Sequence, residues 1–102
     1  CAHCHTPSLG GIPLYSDLLL HEVAPEGSGL VDTHPGAEER EFRTPPLWGV
    51  GSTAPYLHDG SASTLEAAIL LGHYGEGSGS REAFEALEGG ERERLLGFLK
   101  GL

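Results

Sequence analysis

The chain has 102 residues, which suits one domain and is too short for two that each hold a hydrophobic core. Six Lys and Arg against fifteen Asp and Glu give a net charge of −9, which disfavours nucleic-acid binding because a phosphate backbone would be repelled. The longest apolar run, residues 67–71, is far shorter than the roughly 20 residues that cross a bilayer, which excludes a transmembrane segment. With 38% apolar residues, sixteen Gly and seven Pro, the chain is short of core-forming side chains, and we expect it to fold around a bound group.

Both cysteines lie in the first five residues, Cys1-Ala2-His3-Cys4-His5, so none is left for a disulfide. This C-x-x-C-H pattern is typical of covalent haem c attachment. Two thiols three positions apart can bond both vinyl groups of one porphyrin, and the adjacent imidazole then lies under the iron. The motif therefore predicts one covalent haem c, bonded to Cys1 and Cys4, with His5 as its proximal iron ligand.

The sequence supports two other uses of these cysteines less well than haem attachment. A zinc site built from Cys1, Cys4 and His5 lacks a fourth ligand, and structural zinc sites usually combine two separated ligand pairs. A thioredoxin-like redox pair follows a strand in a βαβ unit, and no strand is predicted before this motif. Because a haem domain normally carries a helix ahead of its attachment motif, we expect residues 1–102 to be a single c-type cytochrome domain that is a fragment or a processed part of a longer protein.

The first half of the chain is predicted to be irregular. Turns follow the motif at Thr6-Pro7 and at Gly10-Gly11-Ile12-Pro13, and residues 15–21 form either one helical turn or an extended segment. Residues 23–46 hold four of the seven prolines and an acidic cluster. They predict a long surface loop that covers a cofactor or meets a partner.

Three helices are predicted in the second half. The first begins at the capping box Ser63-x-x-Glu66 and ends at Gly72. The second covers residues 81–88 with Ser80 as its cap, and Gly89-Gly90 separates it from the third. The third covers residues 91–102 and has one apolar face, formed by Leu95, Leu96, Phe98, Leu99 and Leu102. No segment alternates with the period of a strand, so the predicted fold class is mainly α with long irregular loops.

The second axial position of the iron decides between an electron carrier and a catalyst. The chain contains no Met, so the other candidates are His3, His21, His34, His58, His73, Tyr15, Tyr56 and Tyr74. His73 is favoured because it directly follows the end of a capped amphipathic helix, which can present it rigidly. Tyr74, His21 and an empty position stay open.

Further candidate haem contacts lie between residues 43 and 57. Arg43 is a candidate partner for a haem propionate, and an exposed ion pair with Glu39 or Glu41 is the alternative. Trp48 is expected to pack on the haem edge and to donate its indole N–H to a propionate. Tyr56 is expected to line the pocket, together with Leu9, Ile12, Leu14, Leu47 and Leu57. The sequence His58-Asp59-Gly60 indicates a turn in which Asp59 accepts backbone N–H groups.

Five segments stand in a specific order along the chain: Cys1-x-x-Cys4-His5-Thr6-Pro7, Asp17-Leu18-Leu19-Leu20-His21, Arg43-Thr44-Pro45-Pro46-Leu47-Trp48-Gly49, Thr53-Ala54-Pro55-Tyr56-Leu57-His58-Asp59-Gly60 and Thr64-Leu65-Glu66-Ala67-Ala68-Ile69. Over almost the whole chain, this order resembles the C-terminal haem domain of the bacterial di-haem cytochrome c peroxidase superfamily. The Leu-Leu-His and Pro-Leu-Trp-Gly segments are similar to the subgroup described as di-haem oxidoreductases.

The resemblance implies a cytochrome c-like haem domain, located in the periplasm or outside the cell, that carries the electron-transfer haem. In that family the distal ligand follows the helix after His-Asp-Gly, which points here to Gly72-His73-Tyr74. The family's peroxidases also hold a calcium ion through backbone carbonyls that match Thr53 and Pro55. The chain has a single C-x-x-C-H, so the second haem and its open peroxide site are absent from these residues, and the peroxidase reaction is not assigned to them alone.

The sequence therefore favours a c-type cytochrome that transfers single electrons through one haem. The acidic surface predicts basic redox partners and an association that weakens as salt rises, and contact with other haem domains or with copies of the same chain is the alternative. An enzyme hypothesis stays open, in which the chain is the electron-transfer half of a di-haem peroxidase or oxidase. A zinc-binding interaction module is the non-redox hypothesis.

Overall fold

The computed structural model describes residues 1–102, and all three of its α-helices lie after residue 64. Helix α1 spans Leu65–Leu71, α2 spans Ser78–Glu85 and α3 spans Gly89–Lys100. A 3₁₀ turn at Gly75–Gly77 leads into α2, and another at Val50–Ser52 contacts α3. The three predicted helices are confirmed, and none is long and apolar enough to cross a membrane.

The start of α1 differs by one residue from the prediction. Thr64, not Ser63, is the N-cap, with an extended backbone and an Oγ1 that accepts the Ala67 N–H at 3.1 Å. Ala67 is the third helical residue after Thr64, which is the position that an N-cap hydroxyl reaches. Gly72 ends the helix as predicted.

The other two helices both begin earlier than predicted. Helix α2 starts at Ser78 because the turn at Gly75–Gly77 continues directly into it. Helix α3 includes the two glycines that were expected to separate the helices. Glu88 and Glu91 form a capping box there, with the Glu88 N–H donating to Glu91 at 3.3 Å, and this cap offsets the poor helix propensity of glycine.

A small sheet appears where the sequence predicts no strand. Strand β1 is Leu20–Glu22 and strand β2 is Glu41–Arg43, paired antiparallel with His21 opposite Phe42. The prediction of no strands is wrong because three residues are too few to display an alternating pattern. Strand β2 falls inside the segment predicted as a loop, and residues 23–40 are irregular as expected.

Few side chains are fully buried. Only seven of 102 residues are buried, and the apolar ones are Phe42, Ala62, Leu65 and Phe84. Most other apolar side chains surround an open cavity instead of one another. The chain alone therefore lacks a closed core, as its composition predicts.

Candidate functional site

A mostly apolar cavity of about 1310 Å³ lies between the N-terminal motif, the segment after β2 and all three helices. It exceeds the roughly 300–1,000 Å³ of ordinary ligand pockets. Leu95, Phe98 and Leu99 of the predicted apolar face of α3 line it, whereas Leu96 and Leu102 do not. A large apolar group is the kind of ligand that such a space accommodates.

The N-terminal motif forms one tight turn at the cavity wall. The backbone N–H groups of Cys4 and His5 both donate to the Cys1 carbonyl, at 3.2 and 2.9 Å. Both cysteines are free thiols and line the cavity. The turn therefore presents two thiols and one imidazole to the same space, which is the donor set that covalent haem attachment requires.

The His5 ring is held in one orientation by a backbone contact. Its Nδ1 lies 3.0 Å from the Tyr15 carbonyl, so Nδ1 carries the hydrogen and Nε2 keeps a free lone pair. Burial lowers the pKa of His5 below its ordinary value. A neutral, oriented imidazole is the form that binds a metal.

His73 has the same arrangement at the end of α1. Its Nδ1 lies 3.1 Å from the Ile69 carbonyl, and burial, followed by the proximity of His5, lowers its pKa. The centroids of the His5 and His73 rings are 6.4 Å apart. Two imidazoles on opposite sides of one metal ion stand about 6 Å apart, from a metal–nitrogen bond of about 2 Å on each side plus the two ring radii. The separation of the His5 and His73 ring centroids matches that distance.

Gly77 makes room for His73. Gly77 is buried, and a Cβ added to it would lie 3.0 Å from the His73 Cβ. That separation is shorter than ordinary carbon contacts of about 3.5–4.0 Å. The turn at Gly75–Gly77 therefore packs directly against the His73 side chain.

The other axial candidates are placed less favourably. Tyr74 does not line the cavity, and its ring lies beneath the Arg81 guanidinium at 4.6 Å. Both ring nitrogens of His21 contact carboxylates, at 2.8 Å to Asp17 and 3.0 Å to Glu76. Geometry thus favours His73 over Tyr74 and His21.

The turn predicted at His58-Asp59-Gly60 is confirmed. The Asp59 carboxylate accepts the Ser61 N–H at 3.0 Å. The His58 ring packs on Phe42 with ring centroids 3.8 Å apart, at the cavity wall. His58 and Asp59 therefore form a structural turn. Their side chains are not hydrogen-bonded to each other, as those of an acid–base pair would be.

Arg43 lines the cavity without a carboxylate partner. Only its backbone N–H is engaged, by Asp32 at 3.2 Å, and no acidic oxygen lies within 4.0 Å of its guanidinium. The ion pair considered with Glu39 or Glu41 is therefore wrong. The guanidinium is available to an anionic group inside the cavity.

Trp48 and Tyr56 line the cavity with their polar atoms already bonded. The Trp48 indole N–H donates to the Pro13 carbonyl at 2.7 Å, so it already has an acceptor within the chain, and its donation to a propionate stays a prediction. The Tyr56 hydroxyl donates to the Val50 carbonyl at 2.8 Å. Leu47 and Leu57 line the cavity as predicted, whereas Leu9, Ile12 and Leu14 do not.

One cluster at the cavity edge is absent from the sequence-based predictions. His21 lies between the carboxylates of Asp17 and Glu76, and these hydrogen bonds, the one to Glu76 first, raise its pKa. The bond from His21 lowers the pKa of Glu76. The i, i+4 spacing of Asp17 and His21 could have indicated half of the cluster, but Glu76 is 55 residues away.

Comparison with known proteins is consistent with these features. Residues 1–102 match the family described as "Di-haem oxidoreductase, putative peroxidase". The chain is 36% identical to a cytochrome-c peroxidase of Denitromonas iodatirespirans over 66 residues, which are 65% of the chain and 18% of the relative. It is 30% identical to the cytochrome c551 peroxidase of Nitrosomonas europaea over 106 residues, which cover 100% of the chain and 30% of the relative. The chain spans less than a third of either relative, and no solved structure matches it significantly.

Proposed function

We infer a haem-based redox function, because the chain belongs to the di-haem oxidoreductase family. We propose that it is a c-type cytochrome domain that transfers single electrons through one haem. Cys1 and Cys4 would hold the porphyrin, and His5 and His73 would bind its iron from opposite sides.

The observation that carries this proposal is the pairing of His5 and His73. Their ring centroids are 6.4 Å apart, and each Nδ1 faces a backbone carbonyl, which leaves each Nε2 without a partner. A haem bound between them would supply an iron that gains and loses one electron. Two imidazole ligands leave no open position for peroxide, and they favour a lower potential than a His/Met pair.

The cavity walls supply the remaining requirements. Apolar side chains from α1 and α3 line the cavity and would supply an apolar surface for a bound haem. Arg43, which has no carboxylate partner, would bind a propionate, and Trp48 and Tyr56 would pack against the ring. A calcium ion on the Thr53 and Pro55 carbonyls stays a prediction, because a second domain would have to supply further ligands.

A second function is favoured by the size of the relatives. The chain spans 18% and 30% of two peroxidases, so it is also a candidate for the electron-transfer half of a di-haem peroxidase or oxidase. We propose a periplasmic or extracellular location, which the membership of this family supports. With a net charge of −9, the partners would be basic redox proteins, other haem domains or copies of the same chain.

A reductive titration of the haem-loaded protein tests the carrier hypothesis. We expect one electron per chain, a haem that stays bound in denaturant, and loss of covalent attachment when Cys1 and Cys4 are both replaced by Ser. A haem that leaves the chain in denaturant, or a zinc ion without haem, would contradict the proposal. Peroxide turnover by the chain alone would move the enzyme hypothesis into first place.

A further inference from the structure

A hydrogen-bonded triad of Asp17, His21 and Glu76 lies at one edge of the cavity. His21 Nε2 is 2.8 Å from an Asp17 carboxylate oxygen, and His21 Nδ1 is 3.0 Å from a Glu76 carboxylate oxygen. Both partners are acceptors, so both ring nitrogens donate and the ring is an imidazolium. His21 and Asp17 are largely buried, with side chains 17% and 13% exposed.

Asp17 links the triad to the attachment motif. Its backbone N–H donates to the Cys4 carbonyl at 2.8 Å. Its other carboxylate oxygen accepts the Leu19 N–H at 3.0 Å, which fixes the carboxylate towards His21. This end of the triad is therefore fixed to the turn that carries His5.

Glu76 links the triad to His73. Glu76 lies in the turn at Gly75–Gly77, and Gly77 of that turn packs against the His73 side chain. The second carboxylate oxygen of Glu76 accepts the Glu22 N–H at 2.9 Å. Glu76 is thus bonded to two residues of β1, His21 and Glu22, and these bonds hold the turn in place behind His73.

We propose that the Asp17–His21–Glu76 triad positions His73, by fastening the turn behind it to the turn that carries His5. This inference rests on the proposed function, because the position of His73 matters for ligation only if an iron lies between the two histidines. The neighbouring carboxylate of Glu22 forms its own ion pair with the Arg40 guanidinium, at 3.0 Å. The positive charge of His21 therefore interacts mainly with Asp17 and Glu76. Charge-assisted bonds of this kind are about twice as strong as neutral ones.

Carbon monoxide binding to the reduced, haem-loaded protein measures how readily His73 leaves the iron. We expect Glu76→Ala to bind carbon monoxide about tenfold faster than the unsubstituted protein, because it loses a charge-assisted bond and the bond from the Glu22 N–H. Glu76→Gln keeps an oxygen that can accept the Glu22 N–H, but it turns an amide NH2 towards the donating Nδ1–H of His21, so it should recover only part of that loss. Glu82→Ala removes an acid of α2 that has no side-chain partner, and should leave the rate unchanged.

The His73→Ala variant distinguishes failure of the proposed function from failure of the positioning role of the triad. If the unsubstituted protein binds carbon monoxide as fast as His73→Ala, the proposed ligand and the proposed function both fail. If it binds slowly and Glu76→Ala binds equally slowly, the positioning role is wrong while the function stands. Should Glu76→Ala fail to fold, His21→Gln carries the same expectation, and an unchanged rate in that variant would overturn the proposal.

Discussion

The imidazole rings of His5 and His73 both line the cavity, with their centroids 6.4 Å apart and their planes tilted by 48°. Sixty-eight positions separate them in the sequence, and different elements orient them. A carbonyl from the segment after the attachment turn holds His5, and the last turn of α1 holds His73. Both rings are therefore oriented by backbone carbonyls rather than by mobile side chains, which is the arrangement expected of a preorganised ligand pair.

Replacing Gly77 tests how closely the turn behind His73 must pack. In Gly77→Ala the new methyl group would meet the His73 Cβ at 3.0 Å, so we expect a destabilisation of about 1–3 kcal/mol and a weakened distal bond. Gly97→Ala is the matched control, because Gly97 lies within α3, does not line the cavity, and a Cβ there would meet nothing within 4 Å. That variant should gain roughly 0.5–1 kcal/mol. Thermal unfolding and the visible spectrum of the two haem-loaded variants check both expectations.

The pH dependence of stability follows from His21. The pKa of His21 is raised in the folded chain, so protonated His21 stabilises the fold. This contribution to the free energy of unfolding is complete below the pKa of about 6.5 in the unfolded chain, and it is lost as the pH rises through the pKa in the folded chain. The free energy of unfolding should therefore fall on the alkaline side. Hydrogen bonding lowers the pKa of Glu76, whose contribution is lost instead on acidification.

Denaturant unfolding of the haem-loaded protein at a series of pH values measures this dependence. The difference between the unsubstituted protein and His21→Gln isolates the His21 contribution, since all other groups are shared. We expect that difference to shrink as the pH rises. A difference that stays constant from pH 6 to pH 9 would show that no imidazolium is involved.

Neutralising Arg43 should change the redox potential. A guanidinium near the haem favours the reduced form, which carries one positive charge less, so Arg43→Gln should lower the midpoint potential. Partly exposed charge pairs contribute about 0.2–1 kcal/mol, which corresponds to roughly 10–40 mV for one electron. Arg94→Gln removes an α3 charge that does not line the cavity and should shift the potential less. Equal shifts in both variants would indicate a general charge effect.

The parts of the site that the sequence predicts are those set by local rules. The attachment motif places three donors on one turn, and the residue after a capped helix is a natural position for a ligand. The N-caps of α1 and α3, Thr64 and Glu88, are missed by one to a few residues because several neighbouring side chains can cap a helix, and only the folded geometry selects one.

The parts that the sequence does not predict depend on distant contacts. The bond from Trp48 to Pro13 spans 35 residues, and the bond from His21 to Glu76 spans 55. Neither follows from a periodic pattern or a short motif. Strand β2 likewise exists only through its pairing with β1, since three residues have no measurable period.

Low-temperature electron paramagnetic resonance of the oxidised, haem-loaded protein tests directly whether His73 is the second axial ligand of the iron. The account predicts a low-spin signal that becomes high-spin in His73→Ala and stays low-spin in His34→Ala, a histidine outside the cavity. A high-spin signal in the unsubstituted protein, or a low-spin signal that survives in His73→Ala, would contradict it.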